Sequence, residues 1–265
     1  MSKFKIINSE VANLYNNHSF KSEVVSQALI WENVEILDQY KNWYKICQWD
    51  DYISYIHKSF LADSNILTRY NLQDNSNWHT VTKRITKINE INNKNYNLIS
   101  FGSVIPIIEK NDDIYVSIMP NSKKYLVDSN ALVDYNLKIN FNKIVLYALN
   151  NYGTSYFWGG KSGFGFDCSG FIQSLYRFHN INLPRDTKDQ INSKKLYKIL
   201  SHFKKGDLIY FHENNTVNHV AMFINNNQYI HSSGSVKINS IDKTKNDYDE
   251  ILYSKILGVY RIKND

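Results

Sequence analysis

The chain has 265 residues, 43% of them hydrophobic and 14% aromatic, which points to a globular protein with room for two or three small domains. Lysine and arginine number 31 against 25 acidic residues, but they are scattered singly and in pairs such as Lys123-Lys124 and Lys204-Lys205. The net charge of +6 therefore reads as a solvated surface and excludes a nucleic-acid-binding tract.

The first ten residues carry lysines without an apolar run of signal-peptide length, and no later stretch reaches membrane-span length. A soluble protein of the cytoplasm, with no membrane partner, is expected. The two cysteines, Cys47 and Cys168, lie far apart in sequence and suit a reducing compartment better than a disulfide scaffold.

In chain order, Val34–Ile36, Trp43–Ile46 and Tyr52–Ile56 are β-branched and aromatic, with Asp50-Asp51 as a turn, and predict a small all-β barrel over residues 1–66. A polar connector, Asp63 to Asn77, leads to a second barrel over 78–130, with strands at 98–108, 114–119 and 125–127 and a turn at Asn111-Asp112-Asp113. Near Ile139 the period changes: Ile144, Val145, Ala148, Leu149 and Tyr152 predict a helix closed by Gly153. Phe171, Leu175 and Phe178 predict a second, amphipathic helix that begins near Cys168 with Asp167 as N-cap. Strands follow at 207–211, 219–224, 229–231 and 257–261, so the region 139–265 is expected to be an α+β domain.

Six of the ten glycines (153, 159, 160, 163, 165 and 170) fall within 18 residues that end just past Cys168. Glycine concentrates where backbone bends sharply or approaches a ligand closely, and a cysteine at a helix N-terminus gains thiolate character from the helix dipole. Cys168 is therefore the candidate nucleophile, activated by its position. His219 and His231 sit on strands that can lie side by side, so His219 can act as base and His231 can orient it. Cys47 reads as a buried apolar residue, and His212 is the rival base. Zinc held by Cys168 and two histidines is disfavoured, because no Cys-x-x-Cys or His-x-x-x-His pair accompanies them, and no metal or organic cofactor is expected.

At these residues the chain resembles the NlpC/p60 family of bacterial cell-wall cysteine peptidases. The resemblance rests on Tyr156-Phe-Trp158-Gly159-Gly160, Asp167-Cys168-Ser169-Gly170-Phe171 with Gln173, Leu183-Pro184-Arg185-Asp186 with Gln190, Gly206-Asp207-Leu208, Asn218-His219-Val220-Ala221 and Ile230-His231. It implies a circularly permuted, papain-like α+β catalytic domain, preceded here by two small all-β SH3-like barrels.

The family's pattern makes Cys168 the nucleophile, His219 the base and His231 the third residue. It makes the substrate the peptide of peptidoglycan, cut between D-glutamate (through its γ-carboxyl) and a diamino acid. The two leading barrels resemble those of the subgroup that trims free wall peptides starting with L-Ala, whose amine is gripped by an acid, here Asp186, and by a tyrosine, here Tyr52. Tyr52 stands in a departure from the usual Asp-Gly-Tyr-x-Gly-Trp pattern, with Asp51 and Ser54-Tyr55 at the glycine and Gly-Trp positions. Tyr156 and Ser169 are further pocket candidates, with Asp167, Arg185 and Thr187 beside them, while Trp158 is expected to anchor the loop. Asp186 has an alternative role as N-cap of a helix over 187–193. The expected protein is a monomeric recycling enzyme. Its alternatives are a wall-targeting hydrolase or acyltransferase of the same fold and a catalytically dead wall-peptide binder.

Overall fold

The computed structural model describes residues 3–135, 138 and 140–263, with Asn75 described by its backbone alone. The expected domain start at residue 139 lies outside the described residues. The chain forms two compact units, Met1–Leu137 with Lys161–Phe164, and Lys138–Gly160 with Gly165–Asp265.

The first unit holds two seven-stranded antiparallel sheets. One contains β1 (Phe4–Ile7), β2 (Val11–Tyr15), β3 (Val24–Leu29), β4 (Asn33–Tyr40), β5 (Trp43–Cys47), β6 (Ile53–His57) and β7 (Leu61–Asp63), in the order β3-β2-β6-β5-β4-β1-β7. After the short helix α1 (Asn65–Arg69), the other contains β8 (Trp78–Val81), β9 (Ile85–Glu90), β10 (Tyr96–Ser100), β11 (Val104–Asn111), β12 (Ile114–Ile118), β13 (Lys124–Asp128) and β14 (Leu132–Asp134). Its order, β10-β9-β13-β12-β11-β8-β14, repeats the first strand for strand. The stretch 98–108, expected as one strand, is broken between β10 and β11, where Gly102 turns the chain at φ +81°. The connector is also less polar in effect than its composition, since Ile66 and Leu72 enter the core.

The two sheets share that core. Ile6, Ile30 and Trp31 from the first pack in one cluster with Trp78, Val81, Ile105 and Ile118 from the second. Trp31 sits at φ +68°, which is costly for a bulky residue, and is held there by an edge-on contact with Trp78 and an indole N–H bond to the Ile118 carbonyl at 3.2 Å. Lys161–Phe164, which contains β15 (Lys161–Ser162), is built into this unit. The Lys161 N–H donates to Gln27 Oε1 at 2.9 Å, and the Gly163 N–H donates to Ser100 Oγ at 2.8 Å. Gly163 approaches so closely that a Cβ would lie 2.0 Å from the Arg84 carbonyl oxygen.

The second unit sets helices against one antiparallel sheet. Helix α2 (Phe141–Asn150) is capped by Asn140, whose side chain accepts from the N–H groups of Asn142 and Lys143, and Gly153 follows its end at φ +77°. After β16 (Gly165–Phe166) come α3 (Cys168–Arg177), α4 (Thr187–Ile191), β17 (Leu196–Ile199), β18 (Leu208–Glu213), β19 (Thr216–Phe223), β20 (Gln228–Ser233), β21 (Ser235–Ser240), α5 (Glu250–Ser254) and β22 (Ile256–Ile262). The sheet order is β17-β22-β18-β19-β20-β21, with the last strand of the chain inserted between β17 and β18. Arg261 on β22 clamps Asp207 before β18 with both nitrogens, Nε to Oδ1 at 2.6 Å and a terminal nitrogen to Oδ2 at 2.7 Å. Strands β17 and β21 are additions to those expected from sequence.

Candidate active site

Helix α3 places Cys168 at its first position because Asp167 caps it. Asp167 Oδ1 accepts the Gly170 N–H at 2.6 Å, and its Oδ2 accepts the Gly159 N–H from the preceding loop at 3.0 Å. Gly170 has no alternative, since a Cβ there would lie 2.1 Å from the Gly160 carbonyl oxygen. The Asp167 carboxylate is completed by Arg185, through Oδ1 at 3.1 Å and Oδ2 at 2.5 Å, and the same guanidinium donates to Ser169 Oγ at 3.0 Å. The helix expected to be amphipathic is buried from Cys168 through Tyr176, polar residues included. Its polar side has partners: Gln173 donates to the Leu183 carbonyl at 2.9 Å, and Gln190 donates to the Ser169 carbonyl at 3.1 Å and to that of Pro184 at 3.0 Å.

The sulfur of Cys168 faces β19. It lies 3.9 Å from the Asn218 carbonyl oxygen and 3.9 Å from the Thr187 hydroxyl, and the backbone N–H groups of Ser169 and Val220 point to it. His219 shares its strand face with Ala221 and Phe223, and its ring packs against Phe211 of β18. On β20, His231 is the diagonal neighbour of His219, and the two rings meet with His219 Nε2 and His231 Nδ1 2.7 Å apart. With Nε2 so engaged, Nδ1 is the ring nitrogen of His219 that lies outside this bond.

Burial pushes the Cys168 thiol up to about 11, and the Asp167 carboxylate pushes in the same direction. Burial takes His219 down to about 3, with His231 and Lys237 adding to the effect. Both shifts favour the neutral forms, a thiol at Cys168 and a neutral imidazole at His219. Burial first, and the capping carboxylate of Asp167 second, oppose the thiolate that position on the helix alone was expected to make.

The remaining expected residues fall into three groups. Thr187 touches the sulfur, and Tyr156 lies near it, its hydroxyl held protonated up to about 12 by burial and by Cys168 and Asp167, so it remains a hydrogen-bond donor. Asp167, Ser169 and Arg185 form one buried cluster next to Cys168 at the start of α3 and bond to one another. Asp186 stands at the N-cap position of α4 but its side chain makes no capping bond, so the alternative role as cap is not taken up. Its carboxyl is half-buried and raised by that burial.

Tyr52 belongs to the first unit, in the turn between β5 and β6, with its N–H 3.3 Å from Asp50 Oδ1. His212 lies past a bulge in β18, opposite Val217. Trp158 is 61% exposed, and the loop is tied to Asp167 through the Gly159 N–H. Among the described residues no group of three His, Cys, Asp or Glu side chains is arranged to hold a metal ion. Sequence reasoning missed Asn239 on β21, whose Oδ1 is 2.8 Å from His231 Nε2. The only sequence signal for it was its place two strands beyond His219.

The family model described as NlpC/P60 family matches residues 153–255, which contain Cys168, His219 and His231. The chain is 29% identical over 233 residues to the gamma-D-glutamyl-L-lysine dipeptidyl-peptidase of Bacillus cereus, covering 80% of this chain and 68% of that protein. It is 34% identical to the probable endopeptidase NlpC homolog of Haemophilus influenzae, over 52% of this chain and 77% of that protein. A crystal structure of an NlpC/P60 family protein from Bacillus cereus superposes with a TM-score of 0.86 at 21% identity, covering 98% of this chain and 99% of that one. The likeness includes the two N-terminal sheets, which fit SH3-like domains. With Cys168, the histidine pair and the family's motif order in one domain, the chain belongs to the NlpC/P60 family and is a peptidase.

Proposed function

We propose that this chain is a cysteine endopeptidase that cleaves the γ-D-glutamyl–L-diamino acid bond of free peptidoglycan peptides carrying an N-terminal L-Ala. The observation that carries the chemistry is Cys168 at the start of α3, facing β19 beside the bonded His219–His231 pair. The naming of the Bacillus cereus relative as a gamma-D-glutamyl-L-lysine dipeptidyl-peptidase supports the substrate. We read the order of nucleophile helix first and histidine strands after it as the circularly permuted papain-like arrangement, and place the enzyme in the cytoplasm as a monomer that recycles wall peptides.

In this reading Cys168 Sγ attacks the γ-carbonyl while its proton passes to His219 Nδ1. The oxyanion is met by the Ser169 N–H and the Tyr156 hydroxyl. The imidazolium returns its proton to the leaving amine as the C–N bond breaks, and water, deprotonated by the same nitrogen, then releases the acyl group from sulfur. Asp186, uncapping and half-buried, would take the substrate's terminal ammonium. A peptide with a blocked amine leaves that carboxylate desolvated and unpaired, which selects short free peptides.

The test is incubation with L-Ala-γ-D-Glu-L-Lys and its N-acetyl form. Release of L-Ala-γ-D-Glu from the free peptide is expected, at least 100-fold faster than from the acetylated one, and Cys168→Ala abolishes it. Undiminished turnover by that variant removes Cys168 from the mechanism. The murein DD-endopeptidase MepS/murein LD-carboxypeptidase of Escherichia coli, 39% identical over 84 residues, supports a wall-targeting alternative. Digestion of intact cross-linked sacculi would decide for it.

A further inference from the structure

Asn239 is the third in a row of polar side chains that cross three neighbouring strands on one face of the sheet. His219 lies on β19, His231 on β20 and Asn239 on β21, each diagonal to the next, since His231 pairs with Lys237 and Tyr229 with Asn239. Asn239 Nδ2 donates to the Asp247 backbone carbonyl at 2.9 Å. A carbonyl can only accept, so this bond settles which end of the amide is nitrogen and turns Oδ1 toward His231 Nε2 at 2.8 Å. The Asp247 segment is fixed in turn: its carbonyl also accepts the Ser240 N–H at 2.9 Å, and Gln228 Nε2 donates to its Oδ2 at 2.7 Å.

Hydrogen-bond polarity then propagates along the row. Oδ1 of Asn239 has no proton to give, so His231 must carry its proton on Nε2 and present a lone pair at Nδ1. The 2.7 Å bond between the rings is therefore donated by His219 Nε2–H, and a neutral His219 is left with its lone pair on Nδ1. With the opposite polarity His219 would present an N–H to the thiol, a donor where a base is needed.

We propose that Asn239 is a positioning residue which, acting through His231, sets the tautomer of His219 and so keeps its Nδ1 basic. The proposal rests on the reading of Cys168 and His219 as the reacting pair, but the tautomers it specifies are properties of the resting protein. The charged and titratable groups about the pair are Lys237 directly across from His231, Asp249 after β21 and Tyr229 on β20, and helix α3, which begins at Cys168, packs on β19.

The first measurement needs no mutation. Long-range proton–nitrogen NMR correlations of the ¹⁵N-histidine-labelled protein should show His231 protonated at Nε2 and unprotonated at Nδ1, and the same for His219. His231 protonated at Nδ1 overturns the proposal, whatever the activity. In Asn239→Leu the constraint is lost: a mixed or reversed pattern is expected, with kcat on the free tripeptide lower by about 100-fold and KM within about twofold, because Asn239 touches no substrate. Asn239→Asp keeps the acceptor, so it should restore the wild-type pattern and most of kcat while its charge moves the acid limb of the pH profile upward. A folded Asn239→Leu protein with unchanged tautomers and unchanged kcat sinks the idea. Correct tautomers in a wild-type protein that cleaves no wall peptide would instead count against the substrate reading alone.

Discussion

The chemistry of Cys168 turns on which of two local fields is stronger. A helix N-terminus contributes about half a positive charge, enough to favour thiolate on an exposed cysteine. Here the sulfur is buried, the capping Asp167 carboxylate lies beside it, and the result is a thiol pushed up to about 11. At neutral pH the resting thiolate fraction is then on the order of one in ten thousand. Alkylation by iodoacetamide should accordingly rise about tenfold per pH unit from 7 to 10 with no plateau. His219→Ala should show the same slope, since a neutral imidazole holds no proton taken from the thiol. A plateau beginning near pH 5 and abolished by His219→Ala would mean a resting thiolate–imidazolium pair, and the order of proton transfer and attack would have to be reversed.

At the scale of elements, α3 depends on a buried ion pair as much as on its own propensity. Arg185 is 2% exposed and serves Asp167 and Ser169 together. Removing one partner of such a pair leaves a charge in the interior at a cost of about 3–5 kcal/mol. Arg185→Met should lower stability in urea by that amount with an unchanged m-value. Adding Asp167→Asn, which keeps an oxygen for the Gly170 N–H, should recover most of the loss. A single variant within about 1 kcal/mol of wild type would assign the cap alone to α3. This pair also marks how far the sequence could be read. Cys168 and its helix were legible because glycines, an N-cap and helical spacing are local signals, and the two histidines because strand alternation is also local. Asn239 was not, since Ser235–Ser240 alternates weakly and its place beside His231 depends on pairing with β20. Trp31 was not either, because its partner Ile118 is 87 positions away and the shared barrel core is set by that contact, not by any periodicity.

Across the molecule, both units bury neutral histidines, and this gives stability a defined dependence on pH. His79 in the first unit and His179, His219 and His231 in the second are all lowered, each chiefly by burial. A histidine lowered in the folded state takes up its proton first in the unfolded chain, so the unfolded state binds more protons below the ordinary value of 6.5 and stability falls as pH drops. The carboxylates lowered by ion pairs, such as Asp63 and Asp128, lose their contribution only near and below their ordinary value of 3.8. Asp186, raised by burial, works in the opposite direction as it protonates. From pH 6.5 to 4.5 the lowered histidines therefore act against the raised Asp186, while Asp63 and Asp128 stay ionised. His231 is 1% exposed and lowered to about 4; at about 1.4 kcal/mol per pH unit, its share of the loss by pH 5 is about 2 kcal/mol. The urea midpoint should fall steadily from pH 7 to 5, and His231→Gln, which removes the titrating group, should flatten that fall by about the same 2 kcal/mol. A midpoint that holds level from pH 7 to 5 in the wild-type protein would require the histidines to be as free to protonate folded as unfolded, in conflict with the bonded His219–His231–Asn239 row.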